Sequence, residues 1–145
     1  MIISIAADHA GFEEKERLRA YLEELGHEVI DRGPASDARV DYPDFAKKVA
    51  DDVASGTAER GVLACGTGIG MAIAANKVHG IRAANVVLPE FAALAREHND
   101  ANIITVSARF VEHEVNCAIV KAFLETEFGG GRHAGRVAKI AALEQ

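Results

Sequence analysis

The stretch Cys65-Gly66-Thr67-Gly68-Ile69-Gly70 carries the most chemical information in the chain. Glycines at alternate positions let successive backbone N–H groups point to one side, and a helix starting behind them adds partial positive charge. Such a concavity holds a phosphate, or an oxyanion that develops during a reaction. A thiol at its entrance is expected to give up its proton more readily than a free one. The bland alternative is a buried cysteine that ends a strand beside a tight turn. The motif is not a dinucleotide fingerprint, which follows the first strand and needs an acidic residue at the end of the second. Here the glycines follow the third strand, and the next strand, Arg82-Ala83-Ala84-Asn85-Val86, supplies no acid.

Three further groups could do chemistry. Asp8-His9 ends the first strand, with Gly11 letting the chain pass close to a ligand, although an Asp-His pair also serves as a helix cap. His98-Asn99 ends a helix, where the dipole favours a cation; capping and acid–base work on a sugar hydroxyl are both open. Arg132 and Arg136 are four apart, on one helix face, as a phosphate clamp or as solvated surface. His27, His79 and His113 receive no role, and Cys117, among apolar neighbours in a helix, reads as core. No HExxH, CxxC or carboxylate-rich set offers a metal site.

These residues need a frame that brings them together. Strands are expected at Ile2–Ala7, Glu28–Asp31, Gly61–Cys65, Arg82–Leu88 and Asn102–Ser107. Helices are expected at Phe12–Leu25, with Leu18, Leu22 and Leu25 on one stripe and a Glu13–Arg17 pair, and from Pro43 to about Ala54. Others should run from the glycine turn to near Val78, at Pro89–Glu97, at Val111–Phe128, and at Arg132–Leu143 after Gly129-Gly130-Gly131. Strands separated by helices imply one α/β domain over residues 1–145, a three-layer α/β/α, Rossmann-like fold around a five-stranded parallel sheet. In such sheets ligands bind beyond the carboxyl ends of the strands. There lie Asp8-His9, Cys65-Gly66-Thr67-Gly68, Pro89-Glu90 and Ser107-Ala108-Arg109.

Composition narrows the class. The chain has 145 residues, 49% hydrophobic and 26% charged, as in a globular protein. A net charge of −6 argues against nucleic-acid binding, which needs a positive footprint, but leaves room for a small anion held by a few arginines. No segment reaches the apolar length of a membrane span, and MIISIAADHAG is not a basic leader with an apolar core. Two cysteines without a disulfide pattern point to a reducing cytoplasm.

Taken in order, the segments form a pattern. They are Asp8-His9-Ala10-Gly11-Phe12, Asp41-Tyr42-Pro43, Cys65 to Gly70, Ile73-Ala74-Ala75-Asn76-Lys77, Gly80-Ile81-Arg82-Ala83, Glu97-His98-Asn99-Asp100 and Gly131-Arg132-His133 with Arg136. In that combination the chain resembles ribose-5-phosphate isomerase type B, over essentially its whole length. That family also takes in galactose-6-phosphate isomerase subunits and relatives acting on other aldoses. The resemblance implies aldose–ketose isomerisation of ribose 5-phosphate through a cis-enediolate, without metal or cofactor. It also implies a homodimer, or a dimer of dimers, with the site shared between subunits. Cys65 would move the proton from C2 to C1, Thr67 would pass one between the oxygens, and the amides of Gly66, Gly68, Ile69 and Gly70 would hold the enediolate. Asp8 and His98 from opposite subunits would open the ring. Tyr42 and Asn99 would orient hydroxyls, and His9, Arg109, Arg132 and Arg136 would bind phosphate. Members that use a carboxylate base lack this cysteine, which sets the chain in the thiol-using branch. Ser107-Ala108-Arg109-Phe110 departs locally, since a glycine more often precedes the arginine. Other sugar phosphates, a free aldose, a non-catalytic anion-binding module, a structural partner subunit and a metal-dependent hydride shift are the alternatives to test.

Overall fold

A computed structural model describes residues 1–144; Gln145, the last residue of the expected domain, lies outside them. Five strands form one parallel sheet: β1 (Ile2–Ala7), β2 (Glu28–Asp31), β3 (Arg60–Cys65), β4 (Ala83–Asn85) and β5 (Ile103–Ser107), in the order β2-β1-β3-β5-β4. Six helices join or follow them: α1 (Phe12–Glu24), α2 (Tyr42–Ala54), α3 (Ile69–Ala75), α4 (Pro89–Asn99), α5 (His113–Glu125) and α6 (Arg132–Ala141).

Strand alternation assigns each side chain to a layer. Ile3, Ile5, Val62, Ala64, Ile104 and Val106 point toward α1, α4 and α5, where they meet Leu18, Leu22, Ala92, Ile119 and Phe123. Ala6, Leu63, Cys65 and Ile103 point the other way, against Ala46, Val49, Ala50 of α2 and Met71, Ala75 of α3. Each large apolar side chain so buried contributes about 1.5–3 kcal/mol. This is the expected three-layer arrangement, and it settles which face Cys65 shares.

The element ends differ from expectation for local reasons. Helix α1 stops at Glu24 and leaves Leu25 39% exposed, so the apolar stripe is Leu18 and Leu22 alone. Arg19, not Arg17, pairs along α1, with Glu16 and Glu23. Helix α3 ends at Ala75 because the Asn76 amide turns to β4, accepting from Ala83 N–H at 2.7 Å and donating to Ala83 C=O at 2.9 Å. Strand β4 is three residues rather than seven. Val87 and Leu88 leave the sheet, exposed, on the way to Pro89. Helix α5 ends at Glu125 rather than Phe128.

Candidate active site

The sheet order reverses between β1 and β3: the chain leaves β1 for β2 on one side and leaves β3 toward the β5 side. A crevice at the carboxyl ends of two such strands is where open α/β sheets bind ligands. Asp8 follows β1 and Cys65 ends β3, so the two flank this crevice. They are brought close by the Asp8-to-Gly11 turn, which lies on the end of β3. Asp8 N–H donates to Ala64 C=O at 3.3 Å, and a Cβ at Gly11 would collide with that same carbonyl. Gly11 N–H donates to Asp8 Oδ1 at 3.0 Å, which fixes a carboxylate only 8% exposed.

The loop after β3 is laced to the loop after β5. Ala108 N–H donates to Cys65 C=O and Arg109 N–H to Gly66 C=O, at 2.9 and 3.1 Å. Ser107 Oγ also donates to Gly66 C=O, and Thr105 Oγ1 to Gly68 C=O, both at 2.8 Å. Gly68 sits at φ +83°, and a side chain there would strike the Asn85 amide, which itself donates to Thr67 C=O at 3.2 Å. Only glycine meets both demands.

Within this frame the thiol faces a backbone donor. Gly68 N–H points at Cys65 Sγ from 3.1 Å, and Ile69 N–H at Thr67 Oγ1 from 3.1 Å. Those two amides are engaged inside the loop. The N–H groups of Gly66, Thr67 and Gly70 make no such bond among the described residues. Gly66, Thr67 and Gly70 thus keep their N–H groups free of loop partners, while Gly68 and Ile69 turn theirs toward Cys65 and Thr67. The Arg109 guanidinium covers Gly66, with Nη1 3.2 Å from where a Cβ would stand, and the Tyr42 ring lies on Gly70. Beside them a groove of about 490 Å³ is lined by Asp8, His9, Arg39, Asp41 and Tyr42. Val40 N–H donates to His9 Nδ1 at 3.3 Å, so the neutral ring carries its proton on Nε2.

His98, Asn99, Arg132 and Arg136 form a second group, elsewhere. Helix α4 begins past the carboxyl end of β4 and returns over 11 residues, roughly 16 Å, to the amino end of β5. His98 and Asn99 therefore stand at the opposite edge of the sheet from Cys65. His98 stacks on His133, ring centroids 4.5 Å apart, and Gly129 N–H donates to Glu97 C=O, which seats α6 against the end of α4. Arg132 and Arg136 lie exposed on α6 nearby. Partial desolvation pushes the His133 imidazole below its ordinary value, helped by the positive charges of His98, Arg132 and Arg136 and opposed by Glu97. The result is a small cationic patch in a chain of net charge −6.

Comparison with known proteins follows this geometry. The model of the Ribose/Galactose Isomerase family matches residues 3–140. The chain belongs to that family. It is 47% identical to ribose-5-phosphate isomerase B of Escherichia coli over 143 residues, 99% of this chain and 96% of that one. The solved structure of ribose-5-phosphate isomerase B from Clostridium thermocellum superposes with a TM-score of 0.97 at 48% identity, over 99% of this chain and 97% of that one. The enzyme from Mycoplasma genitalium, solved with bound ribulose 5-phosphate, superposes with a TM-score of 0.94 at 46% identity, over 98% and 95%.

Within this isomerase-family chain, Asp8, His9, Tyr42, Cys65 to Gly70 and Arg109 come together, and His98, Asn99, Arg132 and Arg136 do not join them. Sequence reasoning passed over Arg39 and Asn85, and placed Ser107 at the ligand-binding edge without giving it a role. Arg39 had a usable signal, standing two residues before Asp41-Tyr42-Pro43 in a segment with no element of its own. Asn85 and Ser107 are the last residues of β4 and β5, at the edge where ligands bind, and both hold the glycine loop in place.

Proposed function

We propose that this chain interconverts D-ribose 5-phosphate and D-ribulose 5-phosphate through a cis-enediolate, as a homodimer whose sites are each completed by the second subunit. The observation that carries the reading is Cys65 at the end of β3, its sulfur 3.1 Å from Gly68 N–H and beside the Asp8 carboxylate's turn. The identity to ribose-5-phosphate isomerase B proteins supports the substrate.

The Cys65 thiolate removes the C2 proton, and the electrons pass through a C1–C2 enediolate whose oxygens lie toward the free N–H groups of Gly66, Thr67 and Gly70. One such donor contributes about 3 kcal/mol in a transition state. Thr67 Oγ1, already oriented by Ile69 N–H, relays a proton between O1 and O2. Cys65 returns its proton to C1. Ring opening comes first, with Asp8 and His98 of the partner subunit as the acid–base pair. Tyr42 and the partner's Asn99 orient hydroxyls. His9 and Arg109, with Arg132 and Arg136 of the partner subunit, hold the phosphate, which anchors the sugar so that C1 and C2 reach the thiol.

The split between the two residue groups supports the shared site, because neither is complete alone. So does an apolar band along the open β4 edge: Ile69 and Ile73 on α3, Val87 and Leu88 after β4, Phe91 and Leu94 on α4, all more than 40% exposed. A contiguous apolar surface of this kind is what a twofold interface buries. Residues 1–145 act as one isomerase domain in a cytoplasmic setting; no helix among the described residues is long and apolar enough to cross a membrane.

Turnover of D-ribose 5-phosphate in strong chelator, for the native chain and Cys65→Ala, tests the reading. Removing the base should lower kcat about 10²–10⁴-fold in a folded protein. Full activity in Cys65→Ala would mean that another group moves the proton.

A further inference from the structure

Strand β5 reads Ile103-Ile104-Thr105-Val106-Ser107, and its alternate residues Ile103, Thr105 and Ser107 fall on the sheet face that carries Cys65. Thr105 stands abreast of Leu63 on β3 and of Asn85 on β4, and is wholly buried. A valine would fill that position without a polar atom, whereas a buried hydroxyl needs partners. Asn85 Nδ2 donates to Thr105 Oγ1 at 3.1 Å, and Thr105 Oγ1 donates to Gly68 C=O at 2.8 Å. The same Asn85 amide donates to Thr67 C=O at 3.2 Å and to Thr105 C=O at 3.3 Å. Carbonyls only accept, so the NH2 group of Asn85 is the one turned to them.

A trans peptide points its C=O and N–H in opposite directions, so holding the carbonyl aims the amide on the other side. All four carbonyls from Cys65 to Gly68 are held. Backbone N–H groups of Ala108 and Arg109 take the first two, and the side chains of Asn85 and Thr105 take Thr67 and Gly68. The amides opposite those last two are Gly68 N–H, aimed at Cys65 Sγ, and Ile69 N–H, aimed at Thr67 Oγ1, each from 3.1 Å. Two short chains therefore run from the strands to the reacting atoms. One passes from Asn85 through the Thr67–Gly68 peptide to the sulfur; the other passes from Thr105 through the Gly68–Ile69 peptide to the Thr67 oxygen. A bonded carbonyl makes the N–H of its own peptide a better donor, by about 10–30% per bond. Such a donor gains most when the atom it meets turns negative, as the sulfur and the hydroxyl oxygen do while protons move.

We propose that Asn85 and Thr105 are positioning residues for proton transfer, each holding one peptide of the loop so that its N–H serves the Cys65 sulfur or the Thr67 hydroxyl. The assignment rests on the isomerase reading of those two groups. Neither residue is among those that hold the phosphate or orient the sugar hydroxyls, so their loss should fall on kcat and leave KM.

Asn85→Leu keeps the bulk and removes the donor, Thr105→Val keeps the shape and removes the hydroxyl, and Thr105→Ser keeps the hydroxyl. In folded protein, Asn85→Leu and Thr105→Val should each lower kcat for ribose 5-phosphate about fivefold to tenfold, with KM within about twofold of native. Thr105→Ser should bring kcat back to within about twofold. Alkylation of Cys65 by iodoacetamide in a Cys117→Ser chain, followed by intact mass, should slow about threefold or more in Asn85→Leu. That rate needs no sugar, so it stands or falls apart from the isomerase reading, which turnover by Cys65→Ala tests. A kcat within twofold of native in folded Asn85→Leu, a KM that rises as much as kcat falls, equal losses in Thr105→Ser and Thr105→Val, or alkylation unchanged or faster in Asn85→Leu would each overturn the assignment. Asn85→Leu decides alone where Thr105→Val fails to fold, because Asn85 is exposed.

Discussion

Two inactive variants, Cys65→Ala and His98→Ala, should recover activity when mixed. Cys65 ends β3 at the carboxyl edge of the sheet, and His98 lies near the end of α4, at the amino edge and roughly 16 Å along the helix axis. In the proposed shared site, each sugar meets Cys65 from one subunit and His98 from the other. Each homodimer of a variant then has two defective sites. A mixed dimer has one site with both residues and one with neither. Random exchange of equal amounts makes half the dimers mixed, so about one quarter of native activity should return. Pairing dimers into tetramers leaves this fraction unchanged. The variants should fold: alanine keeps the Cys65 Cβ, and loss of the His98–His133 stack removes about 0.5–1.5 kcal/mol. The assay is turnover of ribose 5-phosphate before and after exchange, with mixed dimers counted by native mass spectrometry using a mass tag on one variant. Recovery should scale with the mixed fraction. Mixed dimers at half abundance with activity no higher than either parent would refute the shared site.

Two further substitutions separate packing from chemistry. Gly70→Ala puts a Cβ within 2.6 Å of the Tyr42 ring, so the ring must swing from the groove. Ala is the better helix former by about 1 kcal/mol, so stability should hold or rise while KM rises severalfold; an unchanged KM would remove Tyr42 from the substrate's contacts. Asp52 accepts from Arg32 at 2.7 and 2.8 Å and from the buried Ser4 hydroxyl at 2.7 Å; the Arg32 guanidinium, first among these, holds its carboxyl below the ordinary value. A lowered folded-state pKa adds stability above the unfolded value, about 3.9, and loses it as pH falls through the folded value. Asp52→Asn should therefore cost about 1–3 kcal/mol in urea unfolding at pH 7, with a gap from the native chain that narrows below pH 4. A gap constant with pH would show that the carboxylate's charge does not contribute.

Legibility followed the range of the interactions. The layers could be read because each strand is an apolar run and each helix carries its own start and stop, as Pro43 and Pro89 do in the first turns of α2 and α4. Element ends set by distant partners could not. Asn76 ends α3 through Ala83 of β4, and no local pattern shows that pairing. Strand β4 was overread because Val86, Val87 and Leu88 form a good strand sequence, whereas only β5 is available to pair with it. The contact between Glu14 and His113 was not legible either, because the two residues lie 99 apart in the sequence.

The same reasoning explains why the grouping around Cys65 could be read from the strand order, whereas His98, Asn99, Arg132 and Arg136, though singled out as residue types, could not be placed by it. Parallel strands all present their carboxyl ends at one edge, so Asp8, Cys65 and Arg109 must converge wherever β1, β3 and β5 are neighbours. Residues at helix ends follow the opposite rule, since each helix carries the chain back to the far edge. His98 on α4 is such a residue, and α6 is held to the same end of α4 through Gly129 and His133. A cationic group formed in this way can reach a carboxyl-edge crevice only across a subunit boundary. The open edge at β4, with apolar residues of α3 and α4 on either side, is the boundary available for it. The proposed shared site makes isomerase activity depend on assembly: dilution below the dimer's dissociation constant should abolish turnover while each subunit keeps its Cys65 loop intact.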